Sequence, residues 1–176
     1  MAWIFSLSAE CGSERILAEQ FSQHFENISL TLSDSKKSQC ITRIFQDIDR
    51  NWWCSVCPSD SSEVGIETPE SAYLMTEAGL LLYEMLRSAP PFRYALVGVE
   101  VDEFRTYDEL IEDSHLNFPG LTLCDGIYQS LSSPPILKRF SQGYVWQPYQ
   151  GEIYEPLTVS AKLKQQMDRL LALTQS

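Results

Sequence analysis

Thr68-Pro69 and Pro90-Pro91 bracket the most constrained stretch of this chain. Thr68 can cap the orphan N–H groups that open a helix, and Pro69 suits a first helical position, where no backbone N–H is needed. Pro90 and Pro91 cannot continue a helix, because proline lacks the donor and clashes with the preceding turn. Between them Leu74, Ala78, Leu81, Leu82 and Met85 recur at helical spacing, which predicts a helix from Pro69 to about Ser88 with one broad apolar face. Next comes R-Y-A-L-V-G-V-E-V-D, residues 93–102. Its almost unbroken apolar run is that of a central strand buried on both faces.

The rest of the chain is read around this pair. Residues 2–8 alternate as a strand, and Gly12-Ser13-Glu14 opens a helix with Ser13 as its N-cap and Leu17, Phe21, His24 and Phe25 on one face. Ile28 to Leu32 reads as a short strand. Residues 36–50 fit two templates: Ile41, Ile44, Phe45 and Ile48 make a helical stripe, while Cys40, Ile44 and Ile48 fit part of a strand face. Trp52, Cys54 and Val56 alternate with Trp53, Ser55 and Cys57 as a strand, and S-D-S-S-E-V-G is a loop. Leu121–Cys124 suggests a short strand, and Gly126–Leu131 a short helix. An irregular aromatic loop spans 140–156, and a last helix runs from about Ser160 to Leu173 with Leu163, Met167, Leu170 and Leu171 inward. The expected fold is a single α+β domain over residues 1–176, a mixed sheet packed by about three longer helices.

Charge removes several function classes. Lys and Arg total 13 against 24 acids, a net charge of −11. Binding to nucleic acid or to an anionic membrane needs clustered cations, and no basic run exists. The apolar start M-A-W-I-F-S-L is short for a secretory signal and has no preceding cation, and Glu10 before Cys11 is wrong for lipoprotein cleavage. A cytoplasmic protein with five reduced cysteines is expected.

Trp53-Cys54-Ser55-Val56-Cys57 has the spacing of a thioredoxin-type redox site or half a zinc site. A redox pair needs its first cysteine at a helix N-terminus, where aligned N–H groups stabilise the thiolate. Here a loop composition follows Cys57. In a strand, residues three apart point to opposite faces, so the two sulfurs diverge. Cys11, Cys40, Cys124, His24 and His115 supply no second zinc-ligand pair of the usual spacing. Cys11 itself falls where the first strand is expected to turn into a helix, a setting that can lower a thiol pKa. Arg15 follows too soon for a phosphate-cradling Cys-x₅-Arg loop, and pairing of Cys11 with His24 or His115 stays open. Glu100 and Asp102, two apart at a strand end, place two carboxylates on one face, with Asp108 or Asp125 as a third oxygen ligand for a hard cation. Glycine-rich nucleotide loops and a G-x-S-x-G elbow are absent.

The leading expectation is a non-catalytic protein without cofactor that binds another protein, possibly a basic one, as an assembly factor, regulator or immunity-like inhibitor. Its partner-binding residues would be Asp102, Glu103, Asp108, Glu109 and Glu112, whose charge speeds encounter, with Tyr144, Trp146 and Tyr149 as anchors. The alternatives are a metal-dependent hydrolase using Glu100 and Asp102, a Cys11 thiol enzyme, and a subunit of a larger complex.

Overall fold

The computed structural model describes residues 4–59, 68–152 and 161–175. Strand β1 (Phe5–Gly12) leads through a glycine turn into helix α1 (Arg15–Phe25). Strands β2 (Ser29–Thr31), β3 (Lys37–Gln46) and β4 (Trp52–Pro58) follow, then α2 (Pro69–Leu86) and β5 (Tyr94–Val99). The second half holds α3 (Tyr107–Glu112), β6 (Thr122–Cys124), α4 (Asp125–Ser130), the hairpin β7 (Lys138–Ser141) and β8 (Tyr144–Trp146), and α5 (Ala161–Gln175). The loop expected after Cys57 lies largely outside the described residues, as do Tyr154 and Pro156 of the aromatic stretch.

The strands form one sheet in the order β2-β3-β4-β1-β5-β6-β8-β7. Every described pairing is antiparallel, so the α+β class holds but the sheet is not mixed. The apolar run of β5 arises because its sheet is covered on both faces, not because its neighbours run parallel. On one face Phe5, Leu7, Ala9 and Cys11 of β1 meet Ala18, Phe21 and Phe25 of α1 and Met75, Ala78 and Leu82 of α2. On the other, Tyr94 and Leu96 of β5 meet Val101, Leu110, Leu116 and Ile127 from the segment that carries α3 and α4. The three longer helices are α1, α2 and α5.

Helix α2 starts as its sequence dictates. Thr68 accepts from the Ser71 N–H while the Ser71 hydroxyl accepts from the Thr68 N–H, a reciprocal cap, and Pro69 follows it. Helix α1 differs: Glu14, not Ser13, holds the N-cap position, and no side chain caps it. The first strand runs on to Gly12, whose left-handed φ of +92° makes the turn.

Residues 36–50 resolve as β3 and a tight turn. Cys40, Thr42 and Ile44 lie on the α1 side, with Thr42 Oγ1 2.7 Å from Ser22 Oγ. Asp47 then closes the turn: its Oδ1 accepts the N–H groups of Asp49 and Asn51, and its Oδ2 accepts the Trp53 indole N–H at 2.8 Å. Ile48, which completed the helical stripe on paper, is 89% exposed at that turn. As far as Trp146 the expected aromatic loop is a hairpin turned at Gly143, where φ is +84°, and residues 147–152 are irregular.

Candidate functional site

The segment joining β5 to α3 carries the acidic residues singled out by the sequence, and its backbone is strained. Glu100 and Glu103 are both left-handed, with φ of 56° and 51°. Such a conformation costs a non-glycine residue roughly 1–2 kcal/mol. What it achieves is a sharp descent onto the sheet. Val101 packs over Gly98, where a methyl group would stand 3.0 Å from its Cγ1. Asp102 turns inward: its Oδ1 accepts from Ser55 Oγ at 2.8 Å, and its Oδ2 pairs with Arg43 at 2.6 Å.

This geometry dissolves the expected carboxylate pair. The shared face of Glu100 and Asp102 required an extended strand, and β5 ends at Val99. Glu100 instead accepts the Ile4 N–H at 3.2 Å, and Asp125 pairs with Arg139 at 2.8 Å. Asp108 stands exposed on α3. Among the described residues no group of three or more His, Cys, Asp or Glu could hold a metal ion.

Beyond Asp102, helix α3 presents a rigid acidic edge. Thr106 and Glu109 form a reciprocal cap, and Leu110 is fully buried beneath them. Glu103, Asp108, Glu109 and Glu112 remain exposed. The nearby cation Arg105 is engaged with Asp113 at 3.5 Å and lies over the Phe118 ring.

The aromatic residues expected as anchors sit elsewhere. Trp146 and Tyr149 are 4% and 2% exposed, packed edge-on and tilted against Tyr83. Tyr144 is half-buried, stacked on Phe92 at 4.3 Å, and its hydroxyl donates to the Phe92 carbonyl. Their apolar rings close the core beneath α2, away from the acidic edge of α3.

Cys11, Cys40 and Cys54 are buried, and Cys57 and Cys124 are half-buried. All five cysteines are free. Cys11 lies within β1 rather than at a helix start, and burial pushes its thiol far up. Burial also raises Cys54 to about 12 and Cys40 to about 11. Cys54 shares the helix-covered face with Trp52 and Val56, and Cys57 lies on the opposite side with Ser55, as strand alternation requires. His24 bonds the Met85 carbonyl and ties α1 to the end of α2.

One polar feature escaped the sequence reading. Glu10 is fully buried on the face opposite Cys11, held by two Arg93 bonds of 2.6 and 2.9 Å and by the Gly12 N–H at 2.6 Å. Arg93 also stacks on Tyr107. Burial pushes the Glu10 carboxyl up against the pull of Arg93. Its signal was the polar alternation Ser6, Ser8, Glu10 against Phe5, Leu7, Ala9. The pair fastens α3 to β1, with its charges satisfied internally.

No protein-family model matches the chain, and neither a curated protein nor a solved structure is similar to it. Among the described residues no helix is long and apolar enough to cross a membrane.

Proposed function

We propose that this chain is a non-catalytic protein-binding domain, working as one unit in the cytoplasm, that meets a basic protein partner through the carboxylates around α3. The observation that carries the reading is the platform itself. Asp108 and Glu112 are exposed on a helix capped at its start and pinned from below by Leu110, and Glu103 is exposed on the segment that leads into it. A fixed row of like charges on a chain of net charge −11 accelerates encounter with a cationic surface and orients it. Five free thiols suit the reducing compartment.

The test is a capture experiment from cell extract at low and high salt, with wild-type protein and the D108K/E112K variant. Neither residue takes part in the Thr106–Glu109 cap, so the fold is kept. A partner captured at low salt, released as the Debye length shrinks below about 10 Å, and lost with the variant supports the reading. A partner that ignores both salt and charge reversal would sink it.

A second reading, a subunit of a larger assembly, is favoured by one edge of the sheet. Strand β2 pairs β3 only across Lys37–Gln39, so Ile41–Gln46 has no neighbouring strand on that side among the described residues. Ile41 is 59% exposed beside this edge. Unpaired strand edges accept strands from other chains.

A further inference from the structure

Half of one sheet edge is paired and half is bare. The Cys40 N–H donates outward to the Ile28 carbonyl at 2.9 Å, while the Gln39 carbonyl, on the β4 side, accepts the Ser59 N–H at 2.9 Å. Alternation along β3 therefore aims the N–H and C=O of Thr42, Ile44 and Gln46 outward. Strand β2 begins at Ser29, opposite Gln39. Among the described residues nothing pairs with the outward groups of those three.

This bare stretch lacks most devices that blunt an edge. It has no proline and no bulge, and it pairs with β4 without a break from Cys40 to Gln46. Its one charge, Arg43, lies over the Phe45 ring at 4.8 Å and is held by Asp102. Phe45 itself is half-buried, stacked on Trp53.

The two ends of the stretch carry opposite charges. At one end Arg50 closes the β3–β4 turn, its carbonyl accepting from the Gln46 side chain. At the other end Glu26 stands two residues before Ile28, which bonds Cys40. Both side chains are exposed, and among the described residues neither takes part in an ion pair. A base at one end and an acid at the other make the edge complementary to itself about a two-fold axis.

We propose, on the reading of this edge as an assembly surface, that it binds a second copy of this chain, β3 pairing antiparallel with the copy's β3 about a two-fold axis at Phe45. Phe45 then faces the copy's Phe45, an aromatic cross-strand pair. Ile44 and Gln46 exchange about four backbone hydrogen bonds with the copy's Gln46 and Ile44. Further overlap would drive the turn after Gln46 into the copy's Ile28, and this stop sets the register. The same register carries Arg50 of each turn to Glu26 of the other copy. A strand from an unrelated protein would gain the backbone bonds without the two ion pairs.

The experiment is sedimentation equilibrium of the full chain from low micromolar to near-millimolar concentration, with amide exchange followed by NMR at both ends of that range. Wild type is expected to dimerise reversibly. The Ile44 and Gln46 amides should exchange at least about tenfold more slowly at high concentration, while Arg43 and Phe45, bonded to β4, stay slow throughout. Gln46→Pro removes an outward donor and should weaken the dimer at least about tenfold. Gln46→Ala loses the same side-chain bond to Arg50 but keeps the N–H, and should dimerise like wild type. Glu26→Arg and Arg50→Glu should each weaken the dimer roughly three- to tenfold, and the two together should restore it. D108K/E112K should dimerise like wild type, which separates this edge from α3. A monomer at every concentration overturns the proposal, as does a dimer that survives Gln46→Pro with fast Ile44 and Gln46 amides. A monomer whose Ile44 and Gln46 amides slow only on adding cell extract also overturns it, but keeps the assembly reading with another chain in the copy's place.

Discussion

The hydroxyl of Tyr83 donates to the Gly120 carbonyl at 2.9 Å and accepts the Val97 N–H at 3.1 Å, bridging β5 to the turn that leads into β6. Strands β5 and β6 pair only at Tyr94 with Leu123 and Ala95 with Thr122. Past that point the sheet splits, and Val97 would carry a buried orphan donor. A side chain from α2 thus completes the sheet from above. The fit leaves no room at Gly120, where a Cβ would collide with the same hydroxyl and where φ is +95°.

Removing that one oxygen tests the bridge. Tyr83→Phe keeps the ring packed against Trp146 and Tyr149 but takes the partner from the Val97 N–H, while the Gly120 carbonyl keeps the Thr122 hydroxyl at 3.1 Å. A buried polar group without its partner costs about 1–3 kcal/mol. Urea unfolding should show the loss with an unchanged m value, and hydrogen exchange at Val97 should quicken more than at Ala95. A variant as stable as wild type would mean that the bridge carries no net free energy.

Which parts of this fold could be read in advance follows from how local their causes are. Helix α2, the β4 alternation and the divergence of Cys54 from Cys57 rest on caps, prolines and side-chain period, all written within a few residues. The β3 assignment was not local. Ile41 and Ile48 are apolar yet exposed, so their spacing imitated a helix that nothing in the core required. The same holds for the aromatic stretch. Trp146 and Tyr149 looked like a binding surface until α2 was placed over them through Tyr83. The acidic edge was visible as composition, but its division into an inward Asp102 and outward Asp108 and Glu112 depends on two left-handed residues that no pattern announces.

Those two residues invite a backbone test. Glu103 at φ 51° is relieved by glycine, which adopts the left-handed region without the Cβ clash. Glu103→Gly should leave stability unchanged or raise it by up to about 1 kcal/mol, its own unfolded-state entropy offsetting part of the gain. Glu103→Val should cost more than 1 kcal/mol, roughly, because a β-branched residue resists that conformation. Thermal melts of the three proteins give the order. If valine is tolerated as well as glycine, the strain is not where the geometry places it.

The Glu10–Arg93 pair should behave as a unit. Arg93→Met leaves a fully buried carboxylate facing only the Gly12 N–H and should destabilise the fold by about 3–5 kcal/mol. Glu10→Gln combined with Arg93→Met removes the charge as well as its partner. The double variant should therefore be more stable than Arg93→Met alone, a non-additivity read directly in a double-mutant cycle of urea midpoints. Simple additivity would show that Glu10 does not rely on Arg93.

Glu152 provides the pH test. It lies where the chain leaves β8, its N–H donating to Thr76 Oγ1 and its carboxylate accepting the Tyr149 hydroxyl at 2.8 Å. Burial pushes its carboxyl above the ordinary value near 4.5, against the lowering effect of the Tyr149 bond. The folded state therefore holds this proton more tightly than the unfolded chain does. Its contribution to stability is complete below about pH 4.5 and is lost as pH rises through the raised folded value, where the native state must keep a charge away from water. Glu152→Gln keeps a carbonyl acceptor for Tyr149 and cannot ionise. The variant should match or trail wild type near pH 4.5 and gain on it steadily towards pH 8, read as the difference in urea midpoints across that range. The raised carboxyl of Glu10 slopes the same way but is common to both proteins and cancels in the difference. A gap between variant and wild type that stays flat with pH would show that Glu152 ionises as freely in the folded protein as in the unfolded one.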